Sequence, residues 1–473
     1  MLIPKFFSIK SIKSIRNNTN IYLRVIPDQE QANGLLQFSA GELVSPYTKF
    51  AAETSRHHQE LVHIRCCYNN KYLARQSSTT NWIVASAPEP EEDLSKTSCT
   101  LFQLDGDGDA NTLRFLHAQL RRYACLSRSH DPPFGFQATG EAPDEGRWDV
   151  YNIIDWDSIY VMPKHVAFKG DDGKYLSCGS IKGSLKFKST DVHDPSVWNE
   201  IFITPDGTIR VKSNHAGKFW QRRKNNWILA DAEETSSVDY NSDTLFRPVK
   251  VIGDNKIALC NLGNKKYCQR LEEGTSYSCL SATASTTASE ARMEFKELVI
   301  SRHISRVHFR LKEAKIYGKA PIILTEEEYE NTTSKSATKH INIPLEHTLR
   351  GSWGSIASYK SSDVETSIRS GIPVMGEAGT LDISGEYSGE YKWGETRDHS
   401  TNVKEAVYNV SVPPRSRVFA KVYAMEASYD VPFTYTQGDT LVSGAKRVDH
   451  MEDGIYSGFH RYDIKFESIA SSL

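Results

Sequence analysis

The sequence of 473 residues predicts an all-β protein in which two homologous halves are followed by a third, unrelated β domain. Three observations predict this class. A block of about 147 residues occurs twice before residue 303, and each copy contains three short strand-like units about fifty residues apart. The remaining residues, 303–473, alternate between apolar and polar side chains with a period of two, which is typical of β-strands.

The duplication is clearest in two short motifs. Residues 81–87 (NWIVASA) recur as residues 226–232 (NWILADA), and residues 34–38 (GLLQF) recur as residues 183–187 (GSLKF). An aromatic residue marks each strand-like unit, in the order Tyr22, Tyr72, Tyr123, Tyr175, Phe219 and Tyr267. Three such units in each half favour a β-trefoil. The sequence therefore predicts two tandem β-trefoils, at residues 1–155 and 156–302.

Residues 303–473 show no such repeat and contain no cysteine, which marks a new domain. We expect it to be an elongated antiparallel β domain. Its most regular stretch, residues 355–396, is predicted to form one long hairpin. In the first arm the apolar residues have even numbers and the charged residues odd numbers, and in the second arm this parity is reversed. Residues 371–376 (GIPVMG) are predicted to form an apolar tip, because proline cannot lie inside a ladder.

This alternating hairpin has two possible interpretations. Its apolar face either covers the core of an ordinary β-sandwich or enters a membrane. The arms are about 16 residues long, against about 5 to 6 for an average strand, and a transmembrane β-strand needs about 9 to 11 residues with aromatic side chains at the interface. The length and the aromatic positions favour membrane insertion. The predicted membrane-insertion residues are Ile356, Val364, Ile368, Ile372, Pro373, Val374, Met375, Leu381, Ile383, Tyr387, Tyr391 and Trp393.

Composition restricts the partners and the compartment. A formal charge of -2 gives no reason to expect nucleic acid as a partner. The sequence contains no run of 18 apolar residues, so we expect no transmembrane helix. Lys5 and Lys10 interrupt the apolar start of the chain, so we expect no signal peptide, a cytoplasmic location, and action at membranes only after assembly. The eight cysteines, from Cys66 to Cys279, are expected to be reduced.

Motifs for catalysis are not recognisable, and we predict no enzyme, no catalytic residue, no cofactor and no metal site. Asp105, Asp107 and Asp109 have the spacing of a calcium loop, but Ala110 and Leu116 occupy the positions where that loop needs glycine and glutamate. The acidic run at residues 89–93 is predicted to be a solvated loop.

The repeated Asn-Trp pair is the best candidate for ligand binding. A tryptophan ring can cover the apolar face of a pyranose, and a neighbouring amide can donate to and accept from its hydroxyl groups. The alternative is that a tryptophan found in both halves belongs to the core. The candidate carbohydrate-binding residues are Thr80, Asn81, Trp82, Asn226 and Trp227.

Several motifs before residue 303 resemble the amaranthin-type plant agglutinins. They are residues 34–40 (GLLQFSA), 61–64 (LVHI), 70–73 (NKYL), 99–102 (CTLF), 154–159 (IDWDSI) and 168–176 (FKGDDGKYL). The resemblance implies two β-trefoils, cytoplasmic residence and a homodimer. It also implies recognition of galactose or N-acetylgalactosamine glycans such as Gal-β1,3-GalNAc. Asn81 stands where the family has an aromatic residue beside the tryptophan.

A second set of motifs, after residue 303, resembles the aerolysin-type pore-forming module. They are residues 371–376 (GIPVMG), 391–396 (YKWGET), 412–414 (VPP), 430–435 (DVPFTY) and 453–456 (DGIY). This resemblance implies that a ring of protomers, often about seven, refolds the hairpin into a membrane-crossing barrel. We therefore expect a lectin-guided pore former that acts in plant defence. The alternative is a lectin whose third domain only scaffolds oligomerisation.

Overall fold

The computed structural model describes residues 3–14, 21–27, 34–128, 134–180, 182–234, 241–251, 256–273, 276–345, 349–385, 387–398 and 404–473. In these residues the regular structure consists of β-strands and short 3₁₀ turns, as predicted. The 3₁₀ turns are Pro46–Thr48, Trp156–Ser158, Pro195–Val197, Ser242–Thr244, Ser289–Ala291 and Leu311–Glu313. None of the described helices is long and apolar enough to cross a bilayer.

Contacts divide the chain into two compact units. Unit 1 consists of Met1–Arg302, Ile356–Val364 and Gly438–Arg447, and unit 2 consists of His303–Ser355, Glu365–Gln437 and Val448–Leu473. Two segments that we assigned to the third domain therefore pack within unit 1. We call the first of them, residues 356–364, the strap.

The first half of unit 1 has twelve described strands. They are β1 Phe6–Ser11, β2 Tyr22–Val25, β3 Leu36–Ala40, β4 Phe50–Thr54, β5 Leu61–Cys66, β6 Tyr72–Ser77, β7 Thr80–Ala87, β8 Leu101–Gly106, β9 Thr112–His117, β10 Arg122–Leu126, β11 Phe136–Gly140 and β12 Tyr151–Asp155. The hairpins β2–β3, β6–β7 and β10–β11 meet one another through the pairs Leu35↔Val84, Gln37↔Gly135 and Trp82↔Gln137.

The second half repeats this pattern with twelve further described strands. They are β13 His165–Lys169, β14 Tyr175–Cys178, β15 Leu185–Ser189, β16 Asn199–Ile203, β17 Ile209–Ser213, β18 Lys218–Arg222, β19 Ile228–Ala232, β20 Phe246–Lys250, β21 Ile257–Asn261, β22 Lys266–Glu273, β23 Ser276–Ala284 and β24 Glu294–Glu297. Its three hairpins meet through Ser184↔Leu229, Lys186↔Cys279 and Trp227↔Ser281. Three joined hairpins in each half are the arrangement predicted for a β-trefoil.

One repeated glycine explains why the two halves share a motif. Gly34 has φ +78°, and a Cβ there would lie 2.2 Å from the carbonyl oxygen of Ala85. Gly183 has φ +62°, and its Cβ would lie 2.3 Å from the carbonyl oxygen of Ala230. Only glycine fits this close approach of one hairpin to the next. The GLLQF and GSLKF motifs therefore begin where two hairpins join.

The strands that follow are mostly longer. They are β25 Val299–Phe309, β26 Lys315–Asn331, β27 Ala337–Leu345, β28 Leu349–Ser355, β29 Glu365–Ser370, β30 Pro373–Met375, β31 Leu381–Ile383, β32 Tyr387–Tyr391, β33 Thr396–Asp398, β34 Lys404–Val412, β35 Ser416–Leu441 and β36 Lys446–Ser472. The main sheet has the order β32-β29-β25-β35-β36-β28-β33, and β26 also pairs with β35. Two further pairs, β27–β34 and β30–β31, are separate.

The core of unit 2 is aromatic. The ring of Trp353 lies 5.3 Å from that of Phe433 and 5.0 Å from that of Tyr456, both near edge-to-face. Phe309 packs against the same three rings. Edge-to-face pairs of this kind add about 0.5 to 1.5 kcal/mol each beyond the area that they bury.

Candidate functional site

The predicted hairpin is present but shorter than expected. Thr366 pairs with Tyr391 and Ser370 with Tyr387, and the ribbon continues through the short pair β30–β31. The strap and β28 do not extend it, because β28 pairs with β33 and β36 instead. The paired ribbon therefore covers residues 365–391, where the sequence predicted 355–396.

The tip of the hairpin also differs from the prediction. The chain turns at residues 376–380, where Gly376 N–H donates to the carbonyl oxygen of Thr380 at 2.8 Å and Glu377 is exposed. Residues 371–376 were predicted to be an apolar tip. Ile372, Pro373 and Met375 are instead buried, and Ile372 and Met375 pack on the aromatic core of unit 2.

The alternation of the ribbon is clear in β29, where Thr366 and Ile368 are buried and Glu365 and Arg369 are exposed. Most of the predicted insertion residues face inward in this structure. Buried are Ile356, Val364, Ile368, Ile372, Pro373, Met375, Tyr391 and Trp393; half-buried are Val374 and Leu381. Ile356 and Val364 belong to the strap, and the side chain of Tyr387 lies outside the described part.

Ile383 departs from the predicted face, since 43% of it is exposed. The register of the ribbon also shifts. Ser370 pairs with Tyr387, but Pro373 pairs with Ile383, so the two ladders are offset by one residue. A slip of one residue changes the face on which a strand presents its side chains, and the buried residues of the first arm accordingly change from the even-numbered Ile368 to the odd-numbered Pro373 and Met375.

Besides the β25–β29 ladder, hydrogen bonds that involve side chains attach the ribbon to the rest of unit 2. The hydroxyl of Tyr429 donates to the carbonyl oxygen of Pro373 at 2.8 Å, and the N–H of Met375 donates to Nδ1 of His460 at 3.1 Å. Nearer its base, Nδ1 of His303 lies 2.9 Å from Oγ of Ser367. Burial raises the pKa of Tyr429, so its hydroxyl remains protonated and able to donate.

The two candidate tryptophans occupy matching places in the two halves. Trp82 lies in β7 and pairs with Gln137, whereas Trp227 forms the bridge with Ser281 just before β19. Both are half-buried, and neither belongs to the hydrophobic clusters of the described residues. By contrast, Trp220 is completely buried in the second core. The structure thus places both tryptophans where hairpins join in the two halves, and each residue is partly accessible.

The neighbouring asparagines are not equivalent. Asn226 has φ +65°, and its Oδ1 accepts from Nη1 of Arg222 at 3.0 Å and from Nδ2 of Asn264 at 3.2 Å. These bonds hold the turn, so the Asn226 oxygen is engaged by the scaffold. Asn81 lies on a regular strand, and no side-chain hydrogen bond joins it to another described residue. Thr80 donates from Oγ1 to Oε1 of Gln76 at 3.2 Å.

Sequence reasoning missed a structural role for Glu92. Its carboxylate accepts from the N–H groups of Arg56 at 2.7 Å and His57 at 3.0 Å, and it lies 3.2 Å from Nε2 of His63. Burial alone would raise the pKa of Glu92, but the hydrogen bonds to Arg56, His63 and His57 lower it to about 2. An acidic residue in a loop gives no sign of such partners in the sequence.

Two of the three aspartates with calcium-loop spacing, Asp107 and Asp109, are paired with arginines, whereas Asp105 accepts from Gln103 and from the hydroxyl of Tyr123. Asp107 forms ion pairs with Arg114 and Arg147, and Arg147 also reaches Asp109 at 2.8 Å. In the described part of the chain, no group of three or more His, Cys, Asp or Glu side chains could hold a metal ion. The carboxylates of Asp107 and Asp109 therefore neutralise arginines.

Several solved structures are similar to parts of this chain. No curated protein sequence matches the chain. Solved structures similar to it include a lamprey immune protein, which is 13% identical with a TM-score of 0.32, covering 66% of this chain and 93% of the other. An aerolysin-like protein from Bombina maxima is 13% identical with a TM-score of 0.23, covering 36% and 99%. The designed threefold-symmetric protein ThreeFoil is 13% identical with a TM-score of 0.25, covering 28% and 99%.

The family model that matches is the Agglutinin domain, which matches the chain twice, over residues 4–155 and 160–297. The two matches correspond to the two halves built from β1–β12 and from β13–β24. They cover more than half of the chain. The chain therefore belongs to the Agglutinin domain family, of which it contains two tandem copies.

Proposed function

We propose that this protein is a carbohydrate-binding agglutinin that carries a β-pore-forming module. Its tandem agglutinin domains bind galactose or N-acetylgalactosamine glycans, such as Gal-β1,3-GalNAc, on a target membrane. Protomers then oligomerise, through a lectin dimer and a ring of about seven, and insert the hairpin. Membership of the Agglutinin domain family supports the lectin part. The resemblance of its motifs to amaranthin-type agglutinins and aerolysin-type modules extends the proposal to a cytoplasmic plant defence protein.

One observation carries the pore-forming part: the ribbon at residues 365–391 lies at the edge of its sheet. β32 is the outermost strand and β29 is next to it, so among the described strands β25 provides the ladder that joins the ribbon to the main sheet. The face towards the core is apolar, whereas Glu365, Arg369 and Asp382 are exposed. Such a ribbon can detach from its sheet when one ladder and one layer of packing are broken. Its apolar and polar side chains already alternate as the wall of a transmembrane barrel requires.

Energetics determine where the ribbon is stable. Each large apolar side chain that leaves the core for water, such as Ile368, Ile372 or Met375, costs about 1.5 to 3 kcal/mol. Release into water is therefore strongly unfavourable, whereas lipid offers an apolar environment of equal quality. A single inserted hairpin would still expose unpaired backbone groups, each costing several kcal/mol. Closure by several protomers removes these edges, so oligomerisation must accompany insertion.

Two agglutinin domains on one chain would favour assembly on the membrane. The candidate sites at Trp82 and at Trp227 each offer one half-buried tryptophan and few polar partners, so we expect each site to bind a sugar weakly. Linked sites raise avidity by about 10² to 10⁴ when both reach the same surface. Glycan binding thus concentrates protomers on the membrane before they assemble.

Dye release from liposomes tests the proposal. Full-length protein is added to dye-filled liposomes that carry a Gal-β1,3-GalNAc glycolipid, and to matched liposomes without it. We expect binding and leakage only with the glycolipid, and we expect free N-acetylgalactosamine to suppress both. Binding to the glycolipid liposomes with no leakage, at any protein concentration, would contradict the pore-forming part.

That last outcome would support a second function, a lectin whose C-terminal β domain only scaffolds oligomers. One observation favours this alternative. The hairpin side chains Ile368, Ile372 and Met375 are almost completely buried, and Tyr429 and His460 hold the backbone near its tip. A ribbon fixed in this way could remain in place permanently. Agglutination of glycan-bearing cells without leakage is the result that this function predicts.

A further inference from the structure

The strap is attached to unit 1 by contacts along its length. Nζ of Lys49 donates to the carbonyl oxygen of Ile356 at 2.9 Å, and the N–H of Ser361 donates to Oε2 of Glu297 at 2.9 Å. Between these two points, the rings of Tyr359 and Phe295 meet at 5.5 Å and 67°. The strap is therefore attached to unit 1, at Ile356 to the first agglutinin domain and at Tyr359 and Ser361 to the second.

Glu297, which accepts the hydrogen bond from the strap, is already engaged by an arginine. Nη2 of Arg302 donates to Oε1 of Glu297 at 2.7 Å, and its Nε donates to Oδ1 of Asp439 at 2.8 Å. Arg302 and Glu297 are almost completely buried. An ion pair so deeply buried is structural, because removal of one partner would leave an uncompensated charge. Glu297 is therefore not available to a ligand.

Beside these contacts lies a pocket of about 460 Å³. Lys169, Tyr175 and Glu294, from β13, β14 and β24, line one side of it, and Tyr359 and Asp363 of the strap line the other. Its volume lies in the range of about 300 to 1,000 Å³ that is usual for small-molecule sites. The carboxylates of Glu294 and Asp363 belong to exposed residues, so both can be reached from solvent.

The lining indicates the chemistry of a ligand. Beside Glu297, which Arg302 engages, the lining holds two carboxylates, Glu294 and Asp363, and two lysines, Lys169 and Lys296, so neither sign of charge is in excess among these four. Glu294 also lies 3.8 Å from Nζ of Lys256. Donors and acceptors are thus both present beside three aromatic rings, those of Tyr175, Phe295 and Tyr359. Hydroxyl groups can bond to both kinds of partner, and an aromatic face can cover an apolar ring face. A neutral, ring-shaped polyol satisfies both requirements.

We propose that this pocket is a further saccharide-binding site, in which Tyr175 and Tyr359 cover a pyranose ring and Asp363 and Lys169 bind its hydroxyl groups. It is separate from the tryptophan hairpins, since it is built from β13, β14, β24 and the strap. A ligand that contacts both the agglutinin strands and the strap can bind only while the strap is docked. Saccharide binding therefore stabilises the docked strap.

This coupling gives the pocket a role that rests on the proposed function. The strap ends at Val364 and β29 of the hairpin begins at the next residue, Glu365. A saccharide in the pocket thus restrains the chain that leads into the hairpin. The site would oppose insertion while it is occupied.

Hydrogen–deuterium exchange on the full-length protein tests the site, with N-acetyl-D-galactosamine, D-galactose and D-glucose as probes. The readout is the exchange of the strap amides, residues 356–364. We expect at least one of these sugars to slow exchange in the strap, and the Trp82→Ala/Trp227→Ala double variant to retain this protection. Asp363→Asn should raise the sugar concentration that gives half of the maximal protection by about tenfold, which corresponds to a loss of about 1.4 kcal/mol in binding free energy.

The variant is chosen so that the fold is preserved. Asp363 is exposed and asparagine has the same shape, so exchange of the strap in Asp363→Asn without sugar should equal that of the unchanged protein. The proposal is overturned if none of the three sugars protects the strap. It is equally overturned if protection disappears in the tryptophan double variant and persists in Asp363→Asn.

Failure here is distinguishable from failure of the proposed function. Protection of the segments around Trp82 and Trp227 without protection of the strap would remove the pocket and leave the lectin intact. Protection of the strap with no liposome leakage would confirm the pocket and contradict the pore.

Discussion

The backbone N–H of Met375 donates a hydrogen bond to Nδ1 of His460 at 3.1 Å. An imidazole nitrogen accepts a hydrogen bond only when it carries no proton, so this contact requires neutral His460. Met375 lies in β30, beside the turn of the ribbon, and His460 lies in β36. The end of the hairpin is therefore attached to its sheet through a group that loses its acceptor in acid.

We predict that mild acid promotes release of the hairpin. Protonation of His460 converts Nδ1 into a donor, which removes the bond to Met375, so the stability of the docked ribbon falls as pH decreases. Histidine is the side chain that ordinarily changes charge between about pH 5 and 8. Leakage from glycolipid liposomes, measured over this range, should increase towards the acid end.

Two variants separate this histidine from other titrating groups. His460→Phe should leak faster at neutral pH and lose most of the acid response, because no acceptor is present at any pH. His460→Asn offers an amide oxygen in a similar place and should remain slow at neutral pH. An acid response of equal size in all three proteins would exclude this role for His460.

A second prediction concerns Tyr429, which is completely buried. Tyr429→Phe keeps the ring but leaves the Pro373 carbonyl oxygen without its donor, which costs about 1 to 3 kcal/mol. We expect a lower free energy of unfolding in urea and faster exchange of the amides at residues 373–375. Tyr423→Phe is the matched control, because that hydroxyl bonds to Glu467 at the surface and its loss should change neither quantity.

A third prediction separates the two Asn-Trp pairs. Asn226→Ala removes an acceptor of Arg222 and Asn264 at a residue with positive φ, so it should destabilise unit 1 by about 1 to 2 kcal/mol. Asn81→Ala should leave the melting temperature unchanged and weaken glycan binding.

Trp82→Ala and Trp227→Ala should each weaken binding of a galactoside array, because each removes the ring of a partly accessible tryptophan. Thermal melts and the same array check all four variants. A loss of stability in Asn81→Ala equal to that in Asn226→Ala would show that both asparagines serve the scaffold.

Glu92 leads to a fourth prediction, on acid stability. Its pKa is lowered to about 2, so the folded state binds this proton less readily than the unfolded chain. The stabilisation is therefore complete above the ordinary glutamate value of about 4.3 and is lost as pH falls from there to about 2. Glu92→Gln should be less stable than the unchanged protein at pH 7, and the difference should decrease below about pH 4. A difference that does not change with pH would contradict the assignment.

Local patterns explain what could be predicted from the sequence. The period of two predicted the alternation in β29, and the repeated glycines mark the joints of the hairpins, since both depend on a few adjacent residues. Asn81 and Asn226 look identical in sequence, but distant partners of Asn226, such as Asn264, give it another role. The register offset before Ile383 and the packing of the strap also depend on distant contacts, which periodicity does not encode.

A disulfide across the base of the hairpin tests the central claim most directly. His303 in β25 and Ser367 in β29 lie side by side, so His303→Cys/Ser367→Cys can join the ribbon to its sheet. The eight native cysteines all lie between Cys66 and Cys279, and the two single variants control for them. The account predicts that the oxidised double variant binds glycolipid liposomes without releasing dye, and that reduction restores leakage. Equal leakage from the oxidised and reduced forms would contradict it, because the pore would then form with the hairpin still in place.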